Sequence, residues 1–173
     1  GWHIACSAMI EKHLAYKDGA FQIDIHAGGA DLLFPHHENE TSQTRCSSSQ
    51  QIAKYWMHNG FVNIDGEKMS KSLGNVMLAK DMVQLLGGPV VRWLMLSTHY
   101  RAPINITEEV IETAKTEVNK ALAVLKQVEI KSQLSKYDLS TELTSEFYTL
   151  FLNAMQDDLN TPNAMKSVFD VIK

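Results

Sequence analysis

Cys6, His36 and Glu40 are residues whose types and spacing suggest a metal site. His36 and Glu40 are four residues apart in a segment predicted to be helical, so their side chains project from one face of the helix. Thiolate, imidazole and carboxylate groups are all zinc ligands, and three protein ligands leave one tetrahedral position open. On spacing alone, however, an ordinary helix with a solvated His-His-Glu run and a buried Cys6 explains the pattern better. Cys46 lies on another face of the same helix and is interpreted as structural.

Glycines directly after a predicted strand suggest a nucleotide loop. The stretch Gly28-Gly29-Ala30-Asp31 follows the strand pattern of residues 21–26. Glycine lets the backbone approach a ligand closely, and an aspartate there can hydrogen-bond ribose hydroxyls. The three spaced glycines of the dinucleotide fingerprint are not present in this stretch, so a tight turn is the better interpretation of these residues taken alone.

A basic loop at residues 68–72, Lys-Met-Ser-Lys-Ser, is suited to phosphate groups. Its two lysines, Lys68 and Lys71, are three residues apart among hydroxyl groups, and their charges can neutralise charge that grows on leaving oxygens. Gly74 gives the loop a flexible hinge. A solvated basic turn is the alternative, but the complete pentapeptide favours a phosphate site.

The elements that would position these residues form an α/β pattern over residues 1–106. Helices are predicted at residues 6–16, from Pro35 to residue 50, and at residues 80–86 and 89–97. Strands are predicted at residues 21–26, 55–58 and 61–64. Asp65-Gly66 is typical of a hairpin turn.

Residues 107–173 have the pattern of amphipathic helices. Thr107 is predicted to cap the first of them, whose apolar face is predicted to comprise Ile111, Ala114, Val118, Ala121, Leu122, Leu125 and Val128. Further helices are predicted over residues 141–158 and from Thr161 onwards. The sequence therefore predicts an α/β region at residues 1–106 followed by an all-α region at residues 107–173.

The composition excludes several classes of protein. The chain has 173 residues, of which 45% are apolar, and a net charge of −4. These values argue against a disordered chain and against a simple basic nucleic-acid module. No apolar run approaches the roughly 20 residues of a membrane helix, and two cysteines favour a reducing, cytoplasmic setting. All seven histidines lie between His3 and His99, so we expect the chemistry in the first hundred residues.

Several ordered motifs together resemble a known family. The pentapeptide at residues 68–72 matches the second class motif of class I aminoacyl-tRNA synthetases, and the other motifs look like those of the cysteinyl-tRNA synthetases. These other motifs are GWHIACSAM at residues 1–9, HAGGADL at 26–32, FPHHENE at 34–40, YWMHNG at 55–60, HYR at 99–101 and DDLNTP at 157–162. The resemblance covers the whole chain and is densest up to about residue 109.

This resemblance implies a fold and a reaction. The fold is the second half of a doubly wound, Rossmann-like catalytic domain with the KMSKS loop, followed by the truncated start of a helical tRNA- and anticodon-binding domain. The reaction is ATP-dependent activation of cysteine to cysteinyl-adenylate, then transfer to tRNA(Cys). Zinc would bind the substrate thiolate, which distinguishes cysteine from serine better than an apolar pocket could. The resemblance also implies a cytoplasmic monomer that uses ATP with Mg²⁺.

The resemblance also implies roles for individual residues. Cys6, His36 and Glu40 would be three protein ligands of the zinc ion. Lys71 would bind the ATP phosphates with help from Lys68. The remaining assignments are Gly29 and Asp31 at the adenosine, Trp2 and His3 in the cysteine pocket, and His37 in the surrounding histidine cluster. His13 and His58 are interpreted as bystanders.

Some motifs of the family do not occur in this chain. It has neither the first class motif, of the His-Ile-Gly-His type, nor the preceding zinc-binding cysteine, and its last helix is cut at Lys173. We therefore expect this chain alone to be inactive. Ala5 stands where glutamate is common before the cysteine, which could alter the pocket wall.

Two other functions fit parts of the pattern. A related ATP-dependent cysteine ligase that acts on an amino-sugar shares the zinc and adenylate chemistry but lacks a tRNA-binding tail. A non-catalytic zinc- or tRNA-binding module would explain the missing half of the catalytic domain. The helical run after Glu108, with the motif at residues 157–162, favours the tRNA enzyme.

Overall fold

The chain forms two compact units, Gly1–Phe61 and Val62–Lys173. The computed structural model describes residues 1–70, 72, 74–135 and 145–172. The boundary predicted at residue 106 lies within the second unit, directly after a strand that pairs with residues 62–64. It stays a prediction about the domains of the complete protein.

The first unit is built on a parallel pair of strands. It comprises α1 (Trp2–His13), β1 (Phe21–Gly29), α2 (Glu38–Ser48) and β2 (Gln51–Asn59). β1 and β2 pair in parallel from Phe21↔Gln51 to Gly29↔Asn59, so the connection through α2 is a β-α-β crossover. α1 contacts α2, and Ile10, Ile52 and Ala53 form the small core.

The predicted start of α2 at Pro35 is wrong by three residues. Phe34 has an extended backbone, with φ −132° and ψ 133°, because the residue before a proline is disfavoured in the helical region. A short 3₁₀ turn (Ala30–Leu32) and a wide turn (Leu33–His37) therefore precede the helix, which begins at Glu38. His36 and Glu40 nevertheless remain on one side, one turn apart.

The second unit begins with a small mixed sheet. β3 (Val62–Ile64) pairs antiparallel with β4 (Glu67–Lys68) and parallel with β5 (Ile104–Ile106). The predicted hairpin turn is confirmed: Asp65 and Gly66 both have positive φ, at 50° and 85°, as a two-residue hairpin turn requires.

The core of the second unit lies between this sheet and the helices after it. α3 (Ala79–Leu86) and α4 (Gly88–Leu96) are separated by Gly87, whose φ of 83° favours glycine. The long helix α5 (Glu108–Ser135) packs on α4. The buried core residues are Met82, Val90, Leu94, Ile104, Ile106, Ala114 and Val118.

Two shorter helices complete the second unit, α6 (Glu146–Gln156) and α7 (Thr161–Ile172). The predicted cap of α5 is confirmed, since Thr107 Oγ1 accepts a hydrogen bond from the Val110 amide. The apolar face predicted for α5 is buried only in its first half. Leu122, Leu125 and Val128 are about half exposed. The predicted helix start at residues 141–144 lies outside the described residues.

The predicted fold class is confirmed in outline. A parallel β-α-β unit and a mixed sheet with helices are followed by three helices, α5 to α7. The helices of the described ranges include none with the length and apolarity needed to cross a bilayer.

Candidate metal centre

The three donor groups predicted from the sequence come together in the first unit. Cys6 lies on α1, His36 in the turn before α2, and Glu40 in the first turn of α2. One donor atom of each lies within 4.8 Å of the other two. His36 and Glu40 are buried and Cys6 is half-buried. A soft thiol, an imidazole and a carboxylate converging at one point can hold a zinc ion.

The Glu40 carboxylate is the strongest local sign that a cation fits here. Its side chain is 0% exposed. Its Oε1 lies 2.7 Å from His36 Nε2 but makes no hydrogen bond to any described residue. These two atoms are close, but their contact lacks the geometry of a hydrogen bond. A buried carboxylate oxygen without a hydrogen bond is costly, and a metal ion satisfies it.

The Cys6 thiol lies beside the Glu40 carboxylate. Burial raises the pKa of Cys6, and the neighbouring charge of Glu40 raises this pKa further. Without a cation the thiol therefore stays protonated at neutral pH. A divalent ion between the two groups would reverse this balance, because metal ligation favours the thiolate.

His36 is oriented by two aromatic side chains of α1. His3 Nδ1 and His36 Nδ1 lie 2.6 Å apart, so one of the two rings donates its N–H to the other. The Trp2 ring lies 4.4 Å from the His36 ring, centre to centre. If Nε2 of His36 faces an ion, its Nδ1 carries the proton and donates to His3. Such partners fix the tautomer of a metal-binding histidine.

Glu40 is oriented by a histidine that the sequence analysis did not select. His26 Nε2 lies 2.5 Å from Glu40 Oε2, which makes His26 the partner of the oxygen that does not face His36. Donor atoms of His26, His37 and Glu40 also lie within 4.8 Å of one another. The two donor groups therefore share one buried carboxylate.

His37 belongs to an aromatic cluster beside the centre. Its Nδ1 lies 2.7 Å from His58 Nε2, and its ring packs against Trp56 at 5.1 Å. Burial, together with the neighbouring charge of His26, lowers the pKa of His37 to about 4. His37 is therefore neutral at pH 7. His58, interpreted as a bystander from the sequence, is therefore a direct neighbour of His37.

The glycines after β1 make room for this cluster. Gly28 and Gly29 are the last residues of the strand, paired with His58 and Asn59, and not a loop as predicted. A Cβ atom on Gly28 would lie 2.9 Å from the His37 ring. A Cβ atom on Gly29 would lie 2.5 Å from the Asp31 carboxylate. The glycines thus allow His37 and Asp31 to pack against the strand end.

The basic loop belongs to the second unit. Lys68 ends β4 and is exposed, whereas Lys71 lies outside the described residues. Asn75 closes the loop, because its Oδ1 accepts a hydrogen bond from the Ser70 amide and its Nδ2 donates to the Lys68 carbonyl. Gly74 has a φ of 69°, which fits the predicted need for glycine there.

Curated proteins similar to this chain are named cysteine–tRNA ligase. The relative from Aliarcobacter butzleri (strain RM4018) is 54% identical over 99% of this chain and 35% of the relative. The relative from a Nitratiruptor species is 51% identical over 97% of this chain and 35% of the relative. The chain thus spans about a third of the length of these relatives.

Solved structures of synthetases share the fold. The LeuRS of the Agrobacterium radiobacter K84 agnB2 LeuRS-tRNA-LeuAMS ternary complex matches with a TM-score of 0.67 and 18% identity, over 86% of this chain and 22% of the other. Mycobacterium tuberculosis methionyl-tRNA synthetase in complex with methionyl-adenylate matches with a TM-score of 0.63 and 21% identity, over 86% of this chain and 32% of the other.

Two family profiles match the chain along most of its length. The tRNA synthetases class I (C) catalytic domain matches residues 1–116, which include the candidate metal centre and the basic loop. The DALR domain matches residues 150–173, which include α7. The resemblance found in the motifs is therefore confirmed, and the chain belongs to the family of class I (C) tRNA synthetase catalytic domains.

Proposed function

We propose that this chain is part of a cysteine–tRNA ligase. It would supply the second half of the catalytic domain and the start of the helical tRNA-binding region. The protein would activate cysteine with ATP to cysteinyl-adenylate and pyrophosphate, and then transfer the cysteinyl group to tRNA(Cys). It would act as a cytoplasmic monomer, with ATP bound as its magnesium complex. Reduced thiols of the cytoplasm suit a thiolate ligand such as Cys6.

The observation that carries this proposal is the donor set around one buried carboxylate. Cys6, His36 and Glu40 converge within 4.8 Å in a chain that is 44% to 54% identical to proteins named cysteine–tRNA ligase. These three residues would hold a zinc ion. When bound, zinc would take the thiolate of the substrate as a further ligand, which a serine hydroxyl replaces poorly.

The surrounding side chains would hold these ligands in place. His3 lies against Nδ1 of His36, and His26 against Oε2 of Glu40. Such second partners fix ring and carboxylate orientation. Trp2 packs on His36 and is 63% exposed, and it would cover the bound cysteine. His37 would be an uncharged wall of the cysteine pocket.

The nucleotide would be bound by two further segments. Gly29 and Asp31 would face the adenosine at the carboxyl end of β1, the edge where ligands bind in α/β sheets. Lys71 and Lys68 would neutralise the phosphates as pyrophosphate leaves, a contribution that is largest in the transition state. Asn75 would hold the loop in the shape that presents them.

The tRNA enzyme is preferred to the amino-sugar ligase and to a non-catalytic module. The curated relatives named cysteine–tRNA ligase match up to 100% of this chain, including α5 to α7. The DALR match over residues 150–173 adds to this. An amino-sugar ligase would need no such helical region.

The test is cysteine-dependent exchange between ATP and pyrophosphate by the full-length protein, together with tRNA charging and zinc content. We expect exchange, charging and one zinc ion per chain. Cys6→Ser and His36→Asn should lose zinc and exchange, whereas Cys46→Ser is the matched control, because Cys46 is exposed and outside the donor set. Exchange without charging would favour the amino-sugar ligase. No exchange would leave only the non-catalytic module.

The 173-residue chain assayed by itself should show no exchange. It spans about a third of the length of the relatives named cysteine–tRNA ligase. Cysteine-dependent turnover by this chain alone would contradict that expectation.

A further inference from the structure

The turn between α6 and α7 meets the segment after α4 through one carboxylate. Asp158 Oδ1 accepts a hydrogen bond from the Tyr100 hydroxyl at 2.8 Å, and its Oδ2 accepts one from Arg101 Nε at 2.5 Å. Arg101 Nη2 donates to Oδ1 at 3.2 Å, which makes the pair bidentate. His99 Nε2 lies 3.9 Å from Asp158 Oδ2. Both segments belong to motifs of the sequence, at residues 99–101 and 157–162.

The backbone at this turn is held in an unfavourable conformation. Asp158 and Leu159 both have positive φ, at 50° and 56°. Aspartate tolerates this region and leucine avoids it, so Leu159 is the strained position. The Asn160 amide donates to the Ala154 carbonyl, and the Asn160 side chain accepts from the Asn163 amide. Strained backbone of this kind persists where the surroundings fix it, and it often marks a functional position.

The contact between Arg101 and Asp158 orients the two segments and adds little to the stability of the fold. The side chains of Arg101 and Asp158 are 52% and 47% exposed, and exposed ion pairs add little to the free energy of folding. Their geometry is nevertheless specific, because a guanidinium fork and a tyrosine hydroxyl fit one carboxylate in one orientation. The hydrogen bonds from Arg101 and Tyr100 also hold the pKa of Asp158 below its usual range, so the carboxylate stays charged.

A second contact holds α7 further along. The Phe169 ring packs edge-to-face on Trp93 of α4 at 5.4 Å. Phe169 lies eight residues after the start of α7, which is about 12 Å along a helix. A helix held at one point can pivot. α7 is held both at Asp158, in the turn that precedes it, and at Phe169 within it, and these two contacts fix its direction.

Arg101 is connected through the mixed sheet to the strand that ends at the basic loop. Arg101 lies three residues before β5, β5 pairs with β3, and β3 pairs with β4, which ends at Lys68. The sheet that carries Lys68 and the helix pair α6–α7 are therefore joined through Arg101 and Asp158.

We propose that Asp158, held by Tyr100 and Arg101, is a positioning residue that sets the direction of α6 and α7 relative to the sheet that carries Lys68. The inference rests on the proposed function, in which the helical region binds tRNA. If so, changes at this contact should affect the two steps of the reaction differently. Activation of cysteine does not need the helix pair, whereas transfer to tRNA does.

The test uses three variants of the full-length protein. Asp158→Asn removes the charge but keeps a residue that tolerates positive φ. Asp158→Gly removes the carboxylate, and glycine adopts positive φ freely. Arg101→Gln removes the fork from the other side. Glu112→Gln is the matched control, since Glu112 makes an exposed ion pair with Lys115 on α5, at 2.6 Å.

All three variants should lower kcat/KM for tRNA charging by about fivefold or more, a usual size for coupling between sites. Cysteine-dependent pyrophosphate exchange should stay within about twofold of wild type, as should the control in both assays. The double variant Asp158→Asn with Arg101→Gln should lose no more than either single one, because both act through the same contact.

Three results with the variants would overturn the inference. Charging that is unchanged in all three variants would show that the contact positions nothing. Equal losses in exchange and charging would place the effect in the catalytic step or in folding. Charging at the wild-type level in Asp158→Gly would show that the carboxylate is not needed for transfer to tRNA. A wild-type protein without cysteine-dependent exchange would overturn the proposed function, and this inference with it.

Discussion

Removing the imidazole of His26 should weaken zinc binding without removing a zinc ligand. Its Nε2 is the partner of Glu40 Oε2, at 2.5 Å. The Glu40 side chain is 0% exposed, so in His26→Ala its Oε2 loses the hydrogen-bond partner that holds it inside the protein. The carboxylate would be left with one oxygen unsatisfied and its orientation free.

The expected magnitude follows from this geometry. A hydrogen bond to a buried charged group contributes about 1.5–3 kcal/mol. At about 1.4 kcal/mol per tenfold change, this is a loss of zinc affinity of about 10- to 100-fold, the range usual for the second partners of metal ligands. His26→Gln places an amide Nε2 near the same position, so it should recover most of the affinity.

The assay is competition for zinc against a chelator of known affinity, followed by exchange kinetics at saturating zinc. His13→Ala is the control, since His13 is an exposed histidine at the end of α1. Zinc affinity of His26→Ala within twofold of wild type would refute the assigned role. A failure of His26→Gln to recover affinity would show that His26 acts as a ligand, as its place in the second donor group would allow.

Further predictions concern packing and the basic loop. In urea unfolding, Gly28→Ala should lower the free energy of unfolding by about 1–3 kcal/mol, because the added Cβ would lie 2.9 Å from the His37 ring. Gly88→Ala is the control, since no atom lies within 4 Å of the Cβ added there. Leu94→Ala should cost about 2–5 kcal/mol, since Leu94 is 0% exposed, and a cost below about 1 kcal/mol would contradict the core described here. Asn75→Ala should reduce the rate of exchange about tenfold, which corresponds to the loss of roughly 1.4 kcal/mol of hydrogen bonding. An unchanged rate would show that the side chain of Asn75 does not hold the loop in its active conformation.

The sequence predicted the parts of the centre that depend on local spacing. His36 and Glu40 stand one helical turn apart, and this spacing survives although α2 begins later than predicted. Cys6 could be connected with them only through the resemblance, because about thirty residues separate it from His36. Its approach depends on the packing of α1 on α2, which no local pattern contains.

The histidines that the sequence analysis missed or set aside depend on long-range register. His58 faces the cluster because β2 pairs with β1 so that Gly28 lies opposite His58. His26 lies two residues earlier on β1, and the alternation of the strand was the only local sign of its direction. Both contacts depend on how segments far apart in sequence pack together, so neither could be predicted from the residues nearby.

The apolar face of α5 shows a different limit of sequence reasoning. The spacing of Leu122, Leu125 and Val128 correctly places them on one side of the helix, yet each is about half exposed. Periodicity indicates which face of a helix is apolar. It does not indicate which element covers that face.

The most direct test of the central claim is zinc X-ray absorption of the full-length protein, measured with and without cysteine. We expect that cysteine adds one sulfur ligand at about 2.3 Å, that serine adds none, and that His36→Asn abolishes the zinc signal. A zinc spectrum that cysteine leaves unchanged, or one that His36→Asn leaves intact, would contradict the proposal that Cys6, His36 and Glu40 hold a zinc ion for the substrate thiolate.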